Sequence, residues 1–287
     1  MQAGPIDLLH GATEHVIGSY VVETDDGFAL FDCGPASCAP RLRQGLRERG
    51  LELSDLRHIL LSHIHVDHAG AAGLLVREQP GLQVHVSELG APHVVDPRRL
   101  EASARRLYGE AFDGLWGELA PVPAANVHVV GNRTLGLDCF PSPGHANHHV
   151  CYLAADGTLY AGDAAGVRIA PAQFVLPPCP PPEVDVEAWE ATIRELERRA
   201  PARLALVHFG VFTDVEEHLD RLRTTLHEWV ERVGHGIDEP AFVAAARADV
   251  ARSDPNAVDA YDRAAPYWHG YRGLARYWHR RRDAAAS

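Results

Sequence analysis

Residues 61–70 read LSHIHVDHAG, which puts His63, His65, Asp67 and His68 within six positions. Imidazole nitrogens and carboxylate oxygens are the usual ligands of Zn²⁺, and of Fe or Mn in mixed sites. Residues two apart at a strand end can project the same way, so His63 and His65 can grip one ion together. Asp67 and His68 are adjacent and better placed to reach a second ion. Three later stretches add ligand-type residues at the ends of apolar runs, each beside Gly or another small residue. PSPGHANHH (141–149) carries His145, YAGDAAG (160–166) carries Asp163, and ALVHFG (205–210) carries His208. A lone histidine in such a place is more often a packed core residue than a ligand. The whole set, with its clustered loop, is hard to produce by chance.

Strands and helices must position these groups. RHILL before the cluster is short and apolar, as a buried strand is, and AGAAGLLV after it opens a helix, so the cluster sits on a strand-to-helix loop. GSYVVET and GFALFDCG form a hairpin around DDG. RLRQGLRERG is a helix closed by Gly50. LQVHVS is a strand, followed by a polar helical stretch from about Pro97 to Leu119. NVHVV, TLGLDCF, HHVCYLA and TLYAGD are four short strands. LPPCPPPEVD cannot be helical, because consecutive prolines remove donors and clash with the preceding turn, so it reads as a loop or lid near the site. VEAWEATIRELERRA is a helix, RLALVHFG a strand, and everything beyond about Val211 reads as helical. No internal repeat is present.

The ordered set HIHVDH, PGH, GD and VHFG resembles the metallo-β-lactamase superfamily, and its glyoxalase II-like hydrolases more than its antibiotic-degrading branch. The likeness spans roughly residues 15–210. It implies a four-layer αβ/βα sandwich of two mixed sheets between helices, α/β in class, with the site at one edge. It also implies a catalytic domain over 1–210 and a helical extension over 211–287 packed on it. Position by position, His63, His65 and His145 would hold a first metal. Asp67, His68 and His208 would hold a second, and Asp163 would bridge the two. The aspartate of FDCG, Asp32, would orient ligand side chains. Two divalent ions ~3.5–4 Å apart would share a hydroxide that attacks a carbonyl or phosphoryl centre, while Asp67 accepts a hydrogen bond from that nucleophile. His148 would touch the substrate or support a metal ligand from behind, and His149 beside it would point to the other side of the incoming strand. Zn is the expected metal, with Fe or Mn compatible with the same donors.

Composition narrows the partners. The chain has 287 residues, 46% of them hydrophobic, as in an ordinary globular protein. Its formal net charge is −12, with no lysine and 27 arginines. Such a balance argues against a nucleic-acid or anionic-membrane partner and leaves a small-molecule substrate. No stretch approaches the ~20 apolar residues of a membrane span, and residues 1–30 lack the pattern of a secretion signal, so a cytoplasmic location is expected. The five cysteines, odd in number and without zinc-finger spacing, are expected to be reduced and structural.

Substrate signatures are weaker. Lactonases of the superfamily commonly place a tyrosine shortly after the bridging aspartate, whereas here DAAGVRIA carries Arg168. The tail also lacks the basic character of the glyoxalase II helical domain. It does contain YDRAAPYWHGYRGLARYWHRR (261–281), where Tyr267, Trp268, Tyr271, Tyr277 and Trp278 recur near helical spacing. They read first as a packing or homodimer face and second as a lid over an apolar substrate. The tail as a whole is expected to cross the metal-bearing edge, with at least one aromatic of 261–278 facing the pocket. His58, His85, His218 and His269 read as surface or packing residues. The leading functional reading is a dinuclear hydrolase of a small ester, thioester or lactone. The alternatives are a one-iron oxygenase of the same fold, a β-lactam or phosphodiester hydrolase, and a non-catalytic binding protein.

Overall fold

The computed structural model describes residues 4–285. Two six-stranded mixed sheets face one another, each flanked by helices. The first contains β1 (Ile6–Asp7), β2 (Gly18–Thr24), β3 (Gly27–Phe31), β4 (Leu56–Leu60), β5 (Gln83–Val86) and β6 (Val127–Val129), in that spatial order. The second contains β7 (Arg133–Thr134), β8 (Leu137–Pro141), β9 (Val150–Leu153), β10 (Thr158–Tyr160), β11 (Arg203–Leu206) and β12 (Gly210–Phe212), in the order β12-β11-β10-β9-β8-β7. The helices of the sandwich are α1 (Ala39–Arg47), α2 (Val66–Ala69), α3 (Ala72–Glu78), α4 (Ala91–Val95), α5 (Arg98–Tyr108), α6 (Phe112–Trp116) and α7 (Val186–Arg199). Four more follow: α8 (Val215–Gly234), α9 (Glu239–Ser253), α10 (Val258–Ala264) and α11 (Tyr267–Ala285).

Two sequence expectations change. TLGLDCF is a hairpin and not one strand, because Leu135 and Gly136 both take positive φ (52° and 85°) and turn the chain between β7 and β8. The first residues after the His208 loop are β12, which pairs with β11 through Ala205↔Val211, so the helical segment begins only at Val215.

Apolar alternation explains the interior. The inner strands β3, β4 and β5 are parallel neighbours with nearly continuous apolar runs, as strands covered on both faces require. Between the sheets lies an aromatic layer. Phe31 of β3 packs edge-on against Tyr152 of β9 at 5.8 Å and tilts against Tyr160 of β10 at 5.3 Å. The two buried tyrosine hydroxyls tie one sheet to the other. Tyr152 donates to the Leu61 carbonyl at 2.9 Å, and Tyr20 donates to Leu206 and Gly210 at 2.7 and 2.9 Å. Both ties sit at the strand ends from which the ligand-bearing loops leave. All five cysteines are buried and free, although Cys139 and Cys151 lie on the paired strands β8 and β9.

The helical tail is anchored by specific bonds. Asp238 caps α9 by accepting from the Ala241 N–H at 2.9 Å. Tyr261 receives the Ile169 N–H and donates to the Phe174 carbonyl. His218 of α8 donates to the Ala165 carbonyl at 2.7 Å, beside the turn that holds Asp163. No helix among the described residues is long and apolar enough to cross a membrane.

Two outcomes follow. Tyr152→Phe removes one inter-sheet tie and should cost about 1 kcal/mol, read as a fall of about 2–4 °C in the thermal midpoint for a chain of this size. Burial holds His218 down to about 4, whereas an unfolded histidine titrates near ~6.5. Below ~6.5 the unfolded chain therefore takes up a proton that the folded chain refuses. The stability His218 lends is complete above that value and declines as pH falls towards ~4. Denaturant titrations across this window should show a shallower decline in His218→Gln than in the wild type.

Candidate metal centre and its pocket

All seven ligand-type residues read from the sequence meet at one end of the sandwich. The loop after β4 brings His63 and His65, and the short α2 brings Asp67 and His68. The β8–β9 loop brings His145, the turn after β10 brings Asp163, and the β11–β12 loop brings His208. Ligands commonly bind outside the carboxyl ends of strands in open α/β sheets, because loops there can converge without disturbing the sheet. Two glycines make the convergence possible. Gly144 has φ +137° and a Cβ there would lie 2.3 Å from Trp189 Cβ. Gly162 has φ +48° and a Cβ there would meet His149 and Ser62 at 2.6 Å.

The protonation pattern shows what the centre can hold. His145 Nδ1 donates to the Pro178 carbonyl at 2.7 Å, so in the neutral ring Nε2 carries a lone pair. Ser62 Oγ donates to Asp32 Oδ2 at 2.6 Å and receives His63 Nδ1 at 2.9 Å, which leaves a lone pair on His63 Nε2. These two lone pairs face each other at 3.2 Å, and His65 Nδ1 stands 2.9 Å from both nitrogens. A second set repeats the arrangement. His68 Nδ1 donates to Asp32 at 2.8 Å and His208 Nδ1 to the Val16 carbonyl at 2.5 Å. Their Nε2 atoms face each other at 3.3 Å, with Asp67 Oδ2 at 3.6 and 3.5 Å. Asp163 spans the two sets. Its Oδ2 lies 3.4 Å from His145 Nε2 and its Oδ1 3.3 Å from His68 Nε2. Asp163 Oδ1 is buried without a hydrogen bond. Opposed lone pairs around an unpaired buried carboxylate oxygen repel one another unless cations lie between them. The donor set therefore fits two metal ions.

Electrostatics agree. Burial, then the crowding imidazoles, pushes His63 and His65 well below the ordinary histidine range, and burial lowers His145. Such rings stay neutral, as ligands must. Burial also pulls on His68 and His208, but neighbouring carboxylates, Asp163 foremost, outweigh it and raise both. Burial would raise Asp67 and Asp163, yet the nearby histidines, His68 foremost, hold both below the ordinary carboxylate range. This half of the centre attracts positive charge.

Supporting residues are partly those expected. Asp32 is fully buried with positive φ (49°) and accepts the Ser62 N–H and hydroxyl and the His68 ring. His149 points away from the pocket, as expected. Its Nε2 accepts the Asp163 N–H at 3.1 Å, and its Nδ1 pairs with Ser142 at 2.7 Å. Ser62 and Trp189 were not singled out from the sequence. Trp189 donates to the Ala164 carbonyl at 2.8 Å and packs edge-on against His145, so α7 supports two ligand loops at once. Ser62 had a usable signal, a hydroxyl directly before the histidine cluster. Trp189 had none, because its helix is distant in sequence.

The centre forms the floor of a cavity of about 540 Å³. His65, Asp67, His145, His148 and Asp163 open into it. Its walls are mostly apolar: Ile64, Leu100, Leu107, Leu115 and Leu176 contribute, as does the proline loop over 177–182. The sequence reading of this stretch as a loop or lid near the site agrees with its place in the cavity wall. His148 is buried with its Nε2 3.5 Å from Glu183 Oε2, and its Nδ1 lacks a hydrogen bond. Burial pushes His148 down to about 3. Glu183 was not foreseen.

The tail does cross this edge, through Trp229, residues 262–266, His269 and Gly270. The tyrosines and tryptophans of 261–278 do not line the cavity. They pack within the tail or against the sandwich: Tyr267 donates to Val258, Tyr277 to Glu187 and Trp278 to Val230. The aromatic from this segment that reaches the pocket is His269. Arg168 is also absent from the lining; it is buried, pairs with Asp214 at 2.8 Å and stacks over Phe212. His58 and His85 have company after all, with His85 Nε2 3.1 Å from His58 Nδ1.

Residues 13–208 match the profile of the Metallo-beta-lactamase superfamily. The chain belongs to that superfamily, whose members are metal-dependent hydrolases. It is 28% identical over 190 residues to the metallo-beta-lactamase fold-containing protein ST1585 of Sulfurisphaera tokodaii, over 59% of this chain and 67% of that protein. The match spans 67% of the length of that protein and 63% of the length of a second relative, YobT of Bacillus subtilis. Its fold is similar to that of the metallo-beta-lactamase family protein TTHA1429 of Thermus thermophilus, with a TM-score of 0.63 at 21% identity over 94% of this chain and 89% of that one. TTHA1623, solved in a di-iron-bound form, gives a TM-score of 0.54 at 25% identity over 71% of this chain and 91% of that one.

Asp32→Ala should release the His63–His68 loop without removing any donor to the metals. Elemental analysis of the purified variant should show metal affinity weakened by about 10–100-fold, most in the set that contains His68, with the thermal midpoint also lowered.

Proposed function

We propose that the protein is a dinuclear metal-dependent hydrolase of small-molecule esters, thioesters or lactones, close in chemistry to the glyoxalase II-like branch. His63, His65 and His145 would hold one ion, Asp67, His68 and His208 the other, and Asp163 lies between the two sets. The observation that carries this reading is the complete, doubly opposed donor set at the floor of a largely apolar cavity of about 540 Å³. Bound ions would supply Lewis acidity, which acidifies water and polarises a carbonyl. The donors are nitrogen and oxygen only, so they favour zinc without excluding iron; the di-iron form of TTHA1623 shows that a similar fold accepts iron.

The chain's own residues do the rest. Asp67 opens into the cavity and can accept a hydrogen bond from the attacking water, which orients it. His148 faces Glu183 and lines the cavity beside His65 and His145, where it can hold the substrate oxygen or move a proton. The leucine and proline walls exclude bulk water and bind the apolar part of the substrate. An apolar pocket in a chain of net charge −12 suits a small molecule better than a nucleic acid.

Metal-loaded protein assayed against ester, thioester, lactone, β-lactam and phosphodiester substrates should prefer the first three classes. Preferential cleavage of β-lactams or phosphodiesters would overturn the assignment. Asp163→Ala should lose metal and activity together. His148→Ala should lower kcat/KM by about 100-fold or more with two metals still bound; loss of metal from it would remove His148 from this role.

A further inference from the structure

The cavity wall holds three polar groups that the hydrolase reading leaves unused. Tyr108 ends α5, Trp116 ends α6 and His269 lies in the first turn of α11. All three line the cavity. Their rings form one chain, with Tyr108 5.0 Å from Trp116 and 5.7 Å from His269, both edge-on. Trp116 Nε1 and His269 Nε2 are buried and make no hydrogen bond, and each residue is only 6% exposed. The Tyr108 hydroxyl has no hydrogen-bond partner among the described residues.

Elsewhere among the described residues the buried tyrosines and tryptophans have partners for these groups. Trp189, Trp229 and Trp278 donate their indole N–H to Ala164, Asp249 and Val230, and Tyr152 and Tyr261 donate to Leu61 and Phe174. Buried donors without partners are costly and uncommon. Two on one wall of a cavity, with the half-buried and equally unpartnered Tyr108 hydroxyl between their rings, point to an occupant that satisfies them. An indole N–H can only donate, and a tyrosine hydroxyl and an imidazole N–H can donate beside it. The complement is an oxygen acceptor.

We infer that Tyr108, Trp116 and His269 form a recognition site for an oxygen acceptor, a carbonyl or carboxylate, carried by the non-reacting part of the substrate. The substrate is then an apolar acyl or aryl body with its scissile carbonyl at the metal centre and a second oxygen group at the aromatic wall. This deepens the proposed ester hydrolase reading and rests on it. His269 lies outside the 13–208 stretch that defines the superfamily, so the tail contributes selectivity to a core that contributes chemistry. Arg99 and Arg263 line the same cavity without an ion-pair partner among the described residues, and they favour the carboxylate where the acceptor is charged.

Three matched probes decide the matter: p-nitrophenyl hexanoate, its analogue with a ketone near the chain end, and the p-nitrophenyl monoester of adipic acid. The metal-loaded wild type should prefer the ketone or the adipate over the hexanoate by about tenfold in kcat/KM, mainly through KM. Tyr108→Phe, which removes only the hydroxyl, and His269→Leu should each erase most of that preference. Both should keep two metals, and the loss should fall on the ketone and the adipate, mainly in KM, more than on the hexanoate. A preference for the ketone identifies a neutral acceptor, and one for the adipate a charged one. Equal kcat/KM for all three probes, or a preference that survives both substitutions, overturns the inference and leaves the three donors to water. If no probe is hydrolysed, the ester reading fails by itself. Calorimetric binding of the free acids then decides: adipate or the keto acid must bind more tightly than hexanoate, and the margin must vanish in Tyr108→Phe.

Discussion

One buried carboxylate, Asp32, holds the loop on which the centre depends. It is fully buried at the end of β3, and its two oxygens accept the Ser62 N–H, the Ser62 hydroxyl and the His68 ring. Each bond fixes something different. The Ser62 contacts fix the start of the loop after β4 and, through the serine oxygen, the tautomer of His63. The His68 contact fixes that ring so that Nε2 faces Asp163. A buried charge is tolerable only when such bonds satisfy it. Here the bonds that offset its desolvation also aim the ligands.

The two sheets carry the ligands between them, so their spacing matters as much as any single loop. The aromatic layer of Tyr20, Phe31, Tyr152 and Tyr160 sets that spacing. The tyrosine hydroxyls lock it at the end where the loops leave. Trp189 and His218 then brace the Asp163 turn from two different helices, through the carbonyls of Ala164 and Ala165. Close packing transmits such constraints, because the interior has little room to relax. The cavity above is built from later additions: α5, α6, the proline loop and the tail. The same sandwich can thus keep its chemistry while its walls change.

The legible parts of the sequence were those where chemistry and local conformation coincide. His63, His65, Asp67 and His68 lie within six positions, and PGH, GD and VHFG join a ligand-type residue to a small neighbour, so type and spacing alone picked out the residues that converge at one end of the sandwich. The hairpin around DDG, the α7 helix and the unhelical proline run were equally plain, since each depends on local backbone preference. TLGLDCF misled because its apolar residues mask a two-residue turn at Leu135 and Gly136. The aromatic tail misled in a different way. Its helical periodicity was real, but periodicity says only that one face is buried, not what buries it.

The sequence by itself determined the donor set, the strand-and-helix alternation and the helical character of the tail, because these follow from residue type and near neighbours. Tertiary structure alone decided which atom of each donor faces inward. Ser62, Val16 and Pro178 choose the tautomers, and they lie one residue or many tens of residues from the rings they fix. It also decided that Tyr267 and Trp278 are packing residues while His269 reaches the pocket. Positions two residues apart on one helix face in widely different directions, and only the docking angle of α11 on the sandwich says which direction is the cavity.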